Sequence, residues 1–472
     1  MGICINLSFL VLFLQLSCFN LAVVAGGGSI VEFLPGFDGP LPFELETGYI
    51  GVGESEEVQL FYYFIKSESN PEKDPILFWL TGGPGCSTFS GLVYEIGPIN
   101  FEEVRYDGSL PKFVLNNRSW TKVASIIFVD APVGTGFSYA ESTKASHSTD
   151  IQACYQDYEF LRKWLVDHPE FIQNPLYVGG DSYSGITVPI VAQLISNGNE
   201  AGIEPRINLK GYLLGNPSAT PADVNCRVQF AHGMGLISDE LYESLKKACK
   251  GKYYGVDPSN ALCNKNLKTY NQLLDNIDLA HILEPNCPFA AKKPSKLLGG
   301  SSSRSLYETF HLKPNKDQRI RSPFRCRIDG YWLSYYWAND KNVQDALHVR
   351  KGTIGEWVRC QQGNLNYTRT VTSSIPYHAN LSMKGYRSLI YSGDHDMIIP
   401  HFGTQDWIRS LNYSIVDDWR QWIFQGQVAG YTRTYENRMT FATVKGGGHT
   451  APEYKPPQCK AMFERWVASQ PL

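Results

Sequence analysis

Residues 176–185 read Leu-Tyr-Val-Gly-Gly-Asp-Ser-Tyr-Ser-Gly, a short apolar run followed by a serine among small neighbours. The apolar run predicts a buried strand, and the residues from Tyr183 onward predict a helix. A strand, a sharp turn and a helix in this order are typical of a nucleophile elbow, which presents a serine hydroxyl at the N-terminus of the helix. Ser184 stands where the usual Gly-x-Ser-x-Gly pattern has its last glycine. The segment indicates Ser182 as a nucleophile.

A serine hydroxyl becomes a good nucleophile only when a base, itself oriented by a carboxylate, removes its proton. After a nucleophile elbow these partners follow in the order Asp, then His. The candidate base is His449, which follows three glycines and a strand-like run. The candidate carboxylates are Asp394 and Asp396, which both follow the strand-like run 388–391. We expect a catalytic triad of Ser182, His449 and one of these two aspartates.

The reaction also needs backbone N–H groups that stabilise the oxyanion of a tetrahedral intermediate. One candidate donor is Tyr183, at the predicted N-terminus of the helix. The other lies in the turn 82–85, Gly-Gly-Pro-Gly, which follows the apolar run 76–80. Glycine in this turn lets the backbone approach the intermediate closely. The alternative is a turn that only ends the strand, and its place directly after a buried strand makes that interpretation weaker.

Strand and helix patterns alternate along the first half of the chain. Residues 60–65, 76–80 and 125–129 are uninterrupted apolar runs, and 150–164 has apolar residues at helical spacing. This alternation predicts an α/β sheet with helices on both faces. Strand patterns return at 388–391 and in the run 439–444.

The pattern changes at about residue 216. Residues 216–290 are mainly helical in pattern, and residues 291–323 are rich in Lys, Ser, Gly, Arg and Pro. The latter composition predicts an exposed linker. We therefore expect one domain over residues 26–472, with a mainly helical insertion at about 216–323 that includes the linker.

The N-terminus has the composition of a secretory signal peptide. Residues 1–25 are mostly apolar and uncharged, and they end in Val-Val-Ala, which fits a cleavage site, although a basic leading region is missing. An uncleaved membrane anchor is the alternative, which Gln15, Ser17 and Asn20 disfavour. No later segment has the length and apolarity of a span, so we expect no stable membrane insertion after cleavage.

A signal peptide sends the chain into the secretory pathway, and we expect it in the vacuole or outside the cell. Cys4 and Cys18 lie in the signal, which leaves nine of the eleven cysteines in an oxidising compartment. An odd number leaves at least one free thiol. After the signal, four Asn-x-Ser/Thr sequons predict N-glycans, at Asn117, Asn366, Asn380 and Asn412.

Charge and motif content limit the partners. The net charge is only −3, which provides no strong field for nucleic acid. Neither Cys-x-x-Cys nor His-Glu-x-x-His occurs, so the sequence predicts no metal site, and we expect no cofactor.

Six motifs together resemble the serine carboxypeptidases and the plant serine-carboxypeptidase-like acyltransferases. They are residues 79–87, 94–98, 130–139, 180–185, 392–397 and 447–452. The resemblance implies an α/β-hydrolase fold with a central, mostly parallel sheet. It also implies that Asp396 rather than Asp394 belongs to the triad, and that Gly83 and Tyr183 donate the oxyanion-hole hydrogen bonds.

The same resemblance separates two activities. Peptidases of this family hold a substrate carboxylate with an asparagine, a glutamate and a second glutamate, and this chain has Thr81, Asp181 and Glu95 at those places. Thr81 lacks the paired amide donors of asparagine, and Asp181 is one methylene shorter than glutamate. We therefore expect an acyltransferase that moves an acyl group from a 1-O-β-glucose ester to an alcohol or sugar-ester acceptor. A serine carboxypeptidase is the alternative, and a non-catalytic secreted binding protein is the third interpretation.

The resemblance further implies three disulfides, Cys86–Cys360, Cys249–Cys263 and Cys287–Cys326. Cys154, Cys226 and Cys459 remain unassigned. Some relatives lose the segment that corresponds to 291–323 and become two disulfide-linked chains.

Overall fold

The computed structural model describes residues 28–104, 106–286, 327–361 and 363–472. The signal peptide, the linker 291–323 and the Cys287–Cys326 pair lie outside these residues. The strands are β1 Ser29–Ile30, β2 Leu45–Val52, β3 Val58–Ile65, β4 Ile76–Leu80, β5 Ile99–Phe101, β6 Phe113–Leu115, β7 Ser125–Val129, β8 Tyr139–Ala140, β9 Ser148–Thr149, β10 Leu176–Asp181, β11 Leu209–Gly215, β12 Tyr367–Thr368, β13 Arg387–Gly393, β14 Ile415–Phe424, β15 Gln427–Tyr435 and β16 Met439–Val444.

The α-helices cover both faces of the sheet and fill the insertion. They are α1 Asp150–Asp167, α2 Ser184–Glu200, α3 Cys226–Gly233, α4 Asp239–Cys249, α5 Ala261–Leu274, α6 Arg327–Ala338, α7 Lys341–Ala346, α8 Ile375–Met383, α9 His401–Ser410, α10 Ala451–Tyr454 and α11 Pro456–Val467.

A 12-stranded sheet organises the molecule, in the order β1-β2-β3-β7-β4-β10-β11-β13-β16-β15-β14, with β8 paired to β3. The centre, from β7 to β16, is parallel. Both ends are antiparallel. Every residue of β4, β7 and β10 is buried, as expected for parallel strands covered on both faces. The predicted α/β-hydrolase fold with a mostly parallel sheet is confirmed.

Two hydrophobic layers cover the sheet, and alternate residues of each strand point into opposite layers. On β4, Leu77 and Trp79 pack with Trp337 of α6 and Phe463 of α11. Ile76, Phe78 and Leu80 pack into the layer formed by α1, α2, α8 and α9. A strand with both faces buried cannot shift its register by one residue without exchanging these two sets of contacts.

The segment between β11 and the end of α5 forms a third, smaller core. Phe230 of α3, Leu245 of α4 and Tyr270 of α5 are buried together there, and the Cys249–Cys263 disulfide joins α4 to α5. This region coincides with the described part of the predicted helical insertion. The structure also forms the Cys86–Cys360 disulfide. In the described ranges, no helix has the length and apolarity needed to cross a membrane.

Candidate active site

The serine predicted as nucleophile lies directly after β10, in a backbone conformation that non-glycine residues rarely adopt. Ser182 has φ +54°, and its N–H donates to the carbonyl oxygen of Gly215 at 2.9 Å. Gly180 has no space for a side chain, because a Cβ there would lie 2.3 Å from the carbonyl oxygen of Leu80. The neighbouring strands thus force the turn, and the turn lifts the hydroxyl above the sheet edge.

Ser184 accounts for the departure from the usual elbow pattern. Its side chain is buried, and its Oγ donates to the carbonyl oxygen of Leu80 at 2.8 Å. A hydroxyl at this position therefore has a partner and ties the first turn of α2 to the end of β4. The serine is accommodated because β4 leaves an acceptor beside it.

The three residues expected to form a triad are linked in series, with His449 between Ser182 and Asp396. His449 Nε2 lies 2.8 Å from Ser182 Oγ, and His449 Nδ1 lies 2.8 Å from Asp396 Oδ2. Each residue follows a parallel strand, namely β10, β13 or β16. The carboxyl ends of parallel strands meet at one edge of a sheet, which explains how positions so distant in sequence come together.

Asp396 and Asp394 have separate surroundings. Asp396 is fully buried and accepts from the backbone N–H groups of Ile398 and Ile399, at 2.7 and 3.2 Å. Asp394 instead accepts from the backbone N–H of Gly446 at 2.7 Å and contacts the ring of His395. Of the two competing carboxylates, Asp396 is the one beside His449.

Asn216 is a site residue that the sequence reasoning missed. Its Nδ2 donates to Asp396 Oδ2 at 2.8 Å, and its Oδ1 accepts from the N–H of Gly393 at 3.0 Å. It is fully buried directly after β11, with φ +42°. A signal was present, because Asn216 follows the apolar run Tyr212–Leu214 and a glycine, the same kind of strand end that marks the triad residues.

His449 is placed so that its protonated form is favoured. Burial lowers the pKa of His449, but the charge of Asp396, its hydrogen bond and the charge of Asp181 together outweigh burial. The net result is a pKa above the ordinary value of histidine. A base with this bias accepts the serine proton readily, provided that it is neutral at the start of the reaction.

The glycine turn after β4 lies against the elbow. A Cβ on Gly82 would lie 2.7 Å from Ser182 Cβ and 2.8 Å from the backbone nitrogen of Tyr183, so only glycine allows this approach. Gly83 has φ +125°, which also favours glycine. The turn that contains one expected oxyanion donor is thus in contact with the backbone of the other.

Of the three expected substrate-binding residues, Glu95 and Asp181 are buried and Thr81 is half-buried. Asp181 Oδ1 accepts from the N–H of Gly82 at 3.1 Å. Among the described residues, Thr81 Oγ1 and Glu95 Oε2 are buried atoms without a hydrogen-bond partner. Burial and the charge of Asp181 raise the pKa of Glu95 well above its usual range, and burial also raises the pKa of Asp181. These polar groups can bind a ligand.

The end of the insertion passes along the catalytic loops. The carbonyl oxygen of Ala280 accepts from the backbone N–H of His449 at 2.8 Å, and that of Leu279 accepts from Met397 N–H at 2.8 Å. The N–H of Ile282 donates to the carbonyl oxygen of His395 at 3.1 Å. The segment 279–282 therefore joins the loop of Asp396 to the loop of His449.

Glu453 is a second residue that was missed, and it anchors the helix after His449. It accepts from Thr450 Oγ1 at 2.8 Å and from the hydroxyl of Tyr331 at 3.0 Å, and it pairs with Arg327 Nη1 at 3.0 Å. Its position within a Pro-Glu-Tyr string gave no signal, because its partners on α6 are distant in sequence.

A strained serine elbow and a Ser–His–Asp arrangement at the carboxyl edge of a mostly parallel sheet define an α/β-hydrolase. The serine carboxypeptidase family model matches residues 35–469. The chain belongs to this family, and it is an enzyme of the serine carboxypeptidase class. The resemblance inferred from the motifs is confirmed.

Relatives and a solved structure agree with this assignment. Serine carboxypeptidase-like 19 of Arabidopsis thaliana is 53% identical over 99% of this chain and 100% of its own length. Serine carboxypeptidase-like 7 of the same plant is 55% identical over 94% of each chain. The crystal structure of KEX1(DELTA)P, a prohormone-processing carboxypeptidase from Saccharomyces cerevisiae, matches 90% of this chain and 92% of its own. The match has a TM-score of 0.69 and 20% identity. That last similarity supports the fold.

Proposed function

We propose that the protein transfers an acyl group from a 1-O-β-glucose ester to an alcohol or sugar-ester acceptor. Ser182 Oγ attacks the ester carbonyl while His449 takes its proton, and Asp396 orients the imidazole. The bond to the glucose oxygen breaks, His449 returns the proton to that oxygen, and an acyl-enzyme remains. The acceptor hydroxyl then gives its proton to His449 and attacks the acyl carbon. The bond to Ser182 breaks, and the serine regains its proton.

The backbone N–H groups of Gly83 and Tyr183 act as the oxyanion donors in both steps. Their support is the contact between the glycine turn and the elbow, which brings the two stretches of backbone to one side of Ser182. Removing one such donor typically lowers kcat by about two to three orders of magnitude.

The observation that carries the choice of transferase is the donor set around the substrate-binding residues. A peptide carboxylate is an anion and needs hydrogen-bond donors, but the Thr81 hydroxyl offers one proton where an asparagine amide offers two. Asp181 already uses Oδ1 to accept from Gly82. Glu95 adds at most one further proton, because burial and the charge of Asp181 raise its pKa and favour the neutral acid, and a charged Asp181 would repel an anion. A neutral, hydroxyl-rich sugar suits these groups better, because both carboxyls can accept from its hydroxyls.

One observation favours a serine carboxypeptidase as the second candidate. The pKa of Glu95 is raised well above its usual range by burial and by Asp181. A protonated Glu95 donates a hydrogen bond and can contact a substrate carboxylate. This candidate predicts cleavage of blocked dipeptides at acidic pH.

The two candidates are separated by incubating the purified enzyme with a panel of acyl glucoses and acceptors, and separately with blocked dipeptides. We expect acyl transfer products by mass spectrometry and slow dipeptide cleavage. The double variant Thr81→Asn, Asp181→Glu should raise dipeptide cleavage and lower transfer, and Ser182→Ala is the inactive control. Efficient dipeptide cleavage by the unmodified enzyme, with no reaction on any acyl glucose, would establish the peptidase instead.

We also propose that the mature chain begins near Gly26, carries N-glycans and is located in the vacuole or outside the cell. All four sequon asparagines are exposed, and two disulfides join cysteines that are 274 and 14 residues apart. Intact-mass measurement before and after glycosidase treatment, with thiol labelling, tests this. Nine free thiols in protein from its native compartment would contradict it.

A further inference from the structure

Asp150 is a buried carboxylate outside the triad that collects hydrogen bonds from two directions. It is the first residue of α1 and is fully buried. On one side, the hydroxyl of Tyr183 donates to its Oδ1 at 2.6 Å. On the other, the hydroxyl of Tyr367 donates to the same Oδ1 at 2.8 Å, and the backbone N–H groups of Thr370 and Val371 donate to Oδ2.

Tyr183 is the residue whose backbone N–H faces the oxyanion in the proposed function. Its side chain leaves the elbow from the same Cα, so an anchored ring fixes the orientation of the peptide that carries the donor. The ring is held at its far end by Asp150, and the guanidinium of Arg369 lies 4.9 Å from its centre. Tyr183 lies at the N-cap of α2, and no side chain bonds to a backbone donor there.

The chain that supplies the other partners of Asp150 is also attached to the second donor turn. Cys360 forms the disulfide with Cys86, and the N–H of Gln361 donates to the carbonyl oxygen of Gly85 at 2.8 Å. The stretch after Cys360 therefore begins at the glycine turn and ends on Asp150. The two donor segments are held through one connecting stretch of chain.

We infer that Asp150 is a positioning residue for the oxyanion hole, acting through the hydroxyl of Tyr183. This inference rests on the proposed role of Tyr183 as a donor. Asp150 does not contact the reacting atoms. It sets the direction of the Tyr183 N–H, and it relates that donor to the Gly83 turn through the backbone bonds from Thr370 and Val371. A misdirected donor stabilises the transition state less and leaves ground-state binding nearly unchanged.

The two tyrosines provide a matched pair of variants, because both hydroxyls donate to the same oxygen of Asp150. Tyr183→Phe keeps the backbone N–H but releases the ring from Asp150. Tyr367→Phe removes an equivalent hydrogen bond and leaves Asp150 held by the two backbone N–H groups. We expect Tyr183→Phe to lower kcat for p-nitrophenyl acetate about tenfold with KM unchanged. Tyr367→Phe should leave kcat within about twofold, whatever its effect on Tm.

Asp150→Asn completes the test, provided that the variant folds. The double variant Asp150→Asn, Tyr183→Phe should be no slower than the slower single variant, because both break the same link. Wild-type kcat in Tyr183→Phe, or equal losses in the two tyrosine variants, would overturn the inference while leaving the triad intact. Labelling of Ser182 with a fluorophosphonate separates this from failure of the proposed function. An unlabelled wild type, with Ser182→Ala as reference, overturns both.

Discussion

Asp396 and Glu95 are both buried carboxyl groups of the candidate active site, but their surroundings differ sharply. Asp396 accepts from Asn216, from two backbone N–H groups and from His449, so both of its oxygens are occupied. Glu95 has a buried oxygen without a partner in the described part of the chain. Full satisfaction stabilises the charge of Asp396 in one position. The unpartnered oxygen of Glu95 is available for a ligand.

The comparison shows that the site has two parts: a triad half, whose hydrogen bonds are already formed, and a binding half, which retains unpaired polar atoms. The triad half forms all its hydrogen bonds before any substrate arrives, as electrostatic preorganisation requires. The binding half comprises Glu95, Thr81 and Asp181. In it, Glu95 and Thr81 retain unpaired buried atoms whose burial costs stability unless a ligand satisfies them. Substitutions in the first half should lower kcat, and substitutions in the second should change KM and substrate choice.

The largest loss of kcat is expected from substitutions of the triad residues themselves. Ser182→Ala and His449→Ala should each lower kcat by roughly 10⁶-fold, and Asp396→Asn by about 10⁴-fold, since the nucleophile and base remain. Steady-state kinetics on the acyl donor identified above measures this. Asp394→Asn is the control, and a far greater loss in this variant than in Asp396→Asn would show that the triad assignment is wrong.

A smaller loss is expected when the support behind Asp396 is removed. Asn216→Gly deletes the donor to Asp396 Oδ2 and the acceptor for Gly393 N–H, while glycine tolerates the positive φ. Displacement of the carboxylate should lower kcat up to about 100-fold with little change in KM. Asn216→Asp, which keeps the acceptor but loses the donor, separates the two contacts. Full activity in Asn216→Gly would mean that the backbone N–H groups alone hold Asp396.

The binding half should influence the triad half through the charge of Asp181, which acts on the pKa of His449. His449 must be neutral to act as base, so activity falls as pH decreases through its raised pKa. The charge of Asp181 contributes to that increase. Asp181→Asn should therefore move the acidic limb of kcat/KM to lower pH. Glu95→Gln, which removes the neighbouring carboxyl, is the control and should produce no such shift. An unchanged acidic limb in Asp181→Asn would show that the charge of Asp181 does not affect the pKa of His449.

Glu46 is a buried carboxylate outside the candidate active site, and its pairing with His168 makes the stability of the fold depend on pH. Glu46 accepts from the hydroxyl of Tyr62 at 2.5 Å and pairs with His168 Nε2 at 3.0 Å. Burial opposes both charges, but the pairing raises the pKa of His168 above 6.5 and lowers that of Glu46 below 4.5. The histidine contribution is complete below pH 6.5 and disappears as pH rises through its raised pKa. The glutamate contribution is complete above pH 4.5 and disappears as pH falls through its lowered pKa.

His168→Gln should consequently lower Tm more at about pH 5.5 than at about pH 9, because the charge contribution of the pair is complete between pH 4.5 and pH 6.5 and declines as the pH rises through the raised pKa of His168. Thermal unfolding at both pH values measures the difference. His147→Gln, at an exposed histidine, is the control variant. An equal loss in His168→Gln at both pH values would mean that packing, not charge, dominates this pair.

The parts of the fold that could be predicted from sequence were those with a local signal. The apolar runs that became β4, β7 and β10 were recognisable because burial on both faces makes a strand predominantly apolar. The helical spacing of α1 was recognisable in the same local way. The run 60–65 was recognised in the same way and lies in β3, which is entirely buried but pairs antiparallel with β2 and β7. Burial reveals that a strand is covered, and it does not reveal the direction of its neighbours.

The hairpin β14–β15 was not predicted, because its alternation is irregular. Register shifts interrupt the pairing between Ile415 and Arg420, so polar and apolar residues do not alternate cleanly. In the site, Ser182, Asp396 and His449 each carried a strand-end signal. Asp150 and Glu453 did not, because the tyrosine hydroxyls that bond to them lie more than 30 residues away in sequence, and such contacts exist only after folding.

The bonds between the insertion and the catalytic loops have a consequence for chimeric proteins. All three contacts from Leu279, Ala280 and Ile282 involve backbone atoms only. The side chains of Leu279, Ala280 and Ile282 can therefore differ among relatives without loss of these bonds. His281, by contrast, contacts the carbonyl oxygen of Gly446 through its ring at 3.1 Å. A change in the length of the segment moves the loops of Asp396 and His449. A chimera that exchanges the helices of the insertion should join the two parent sequences before residue 277, so that its own backbone remains beside its own triad.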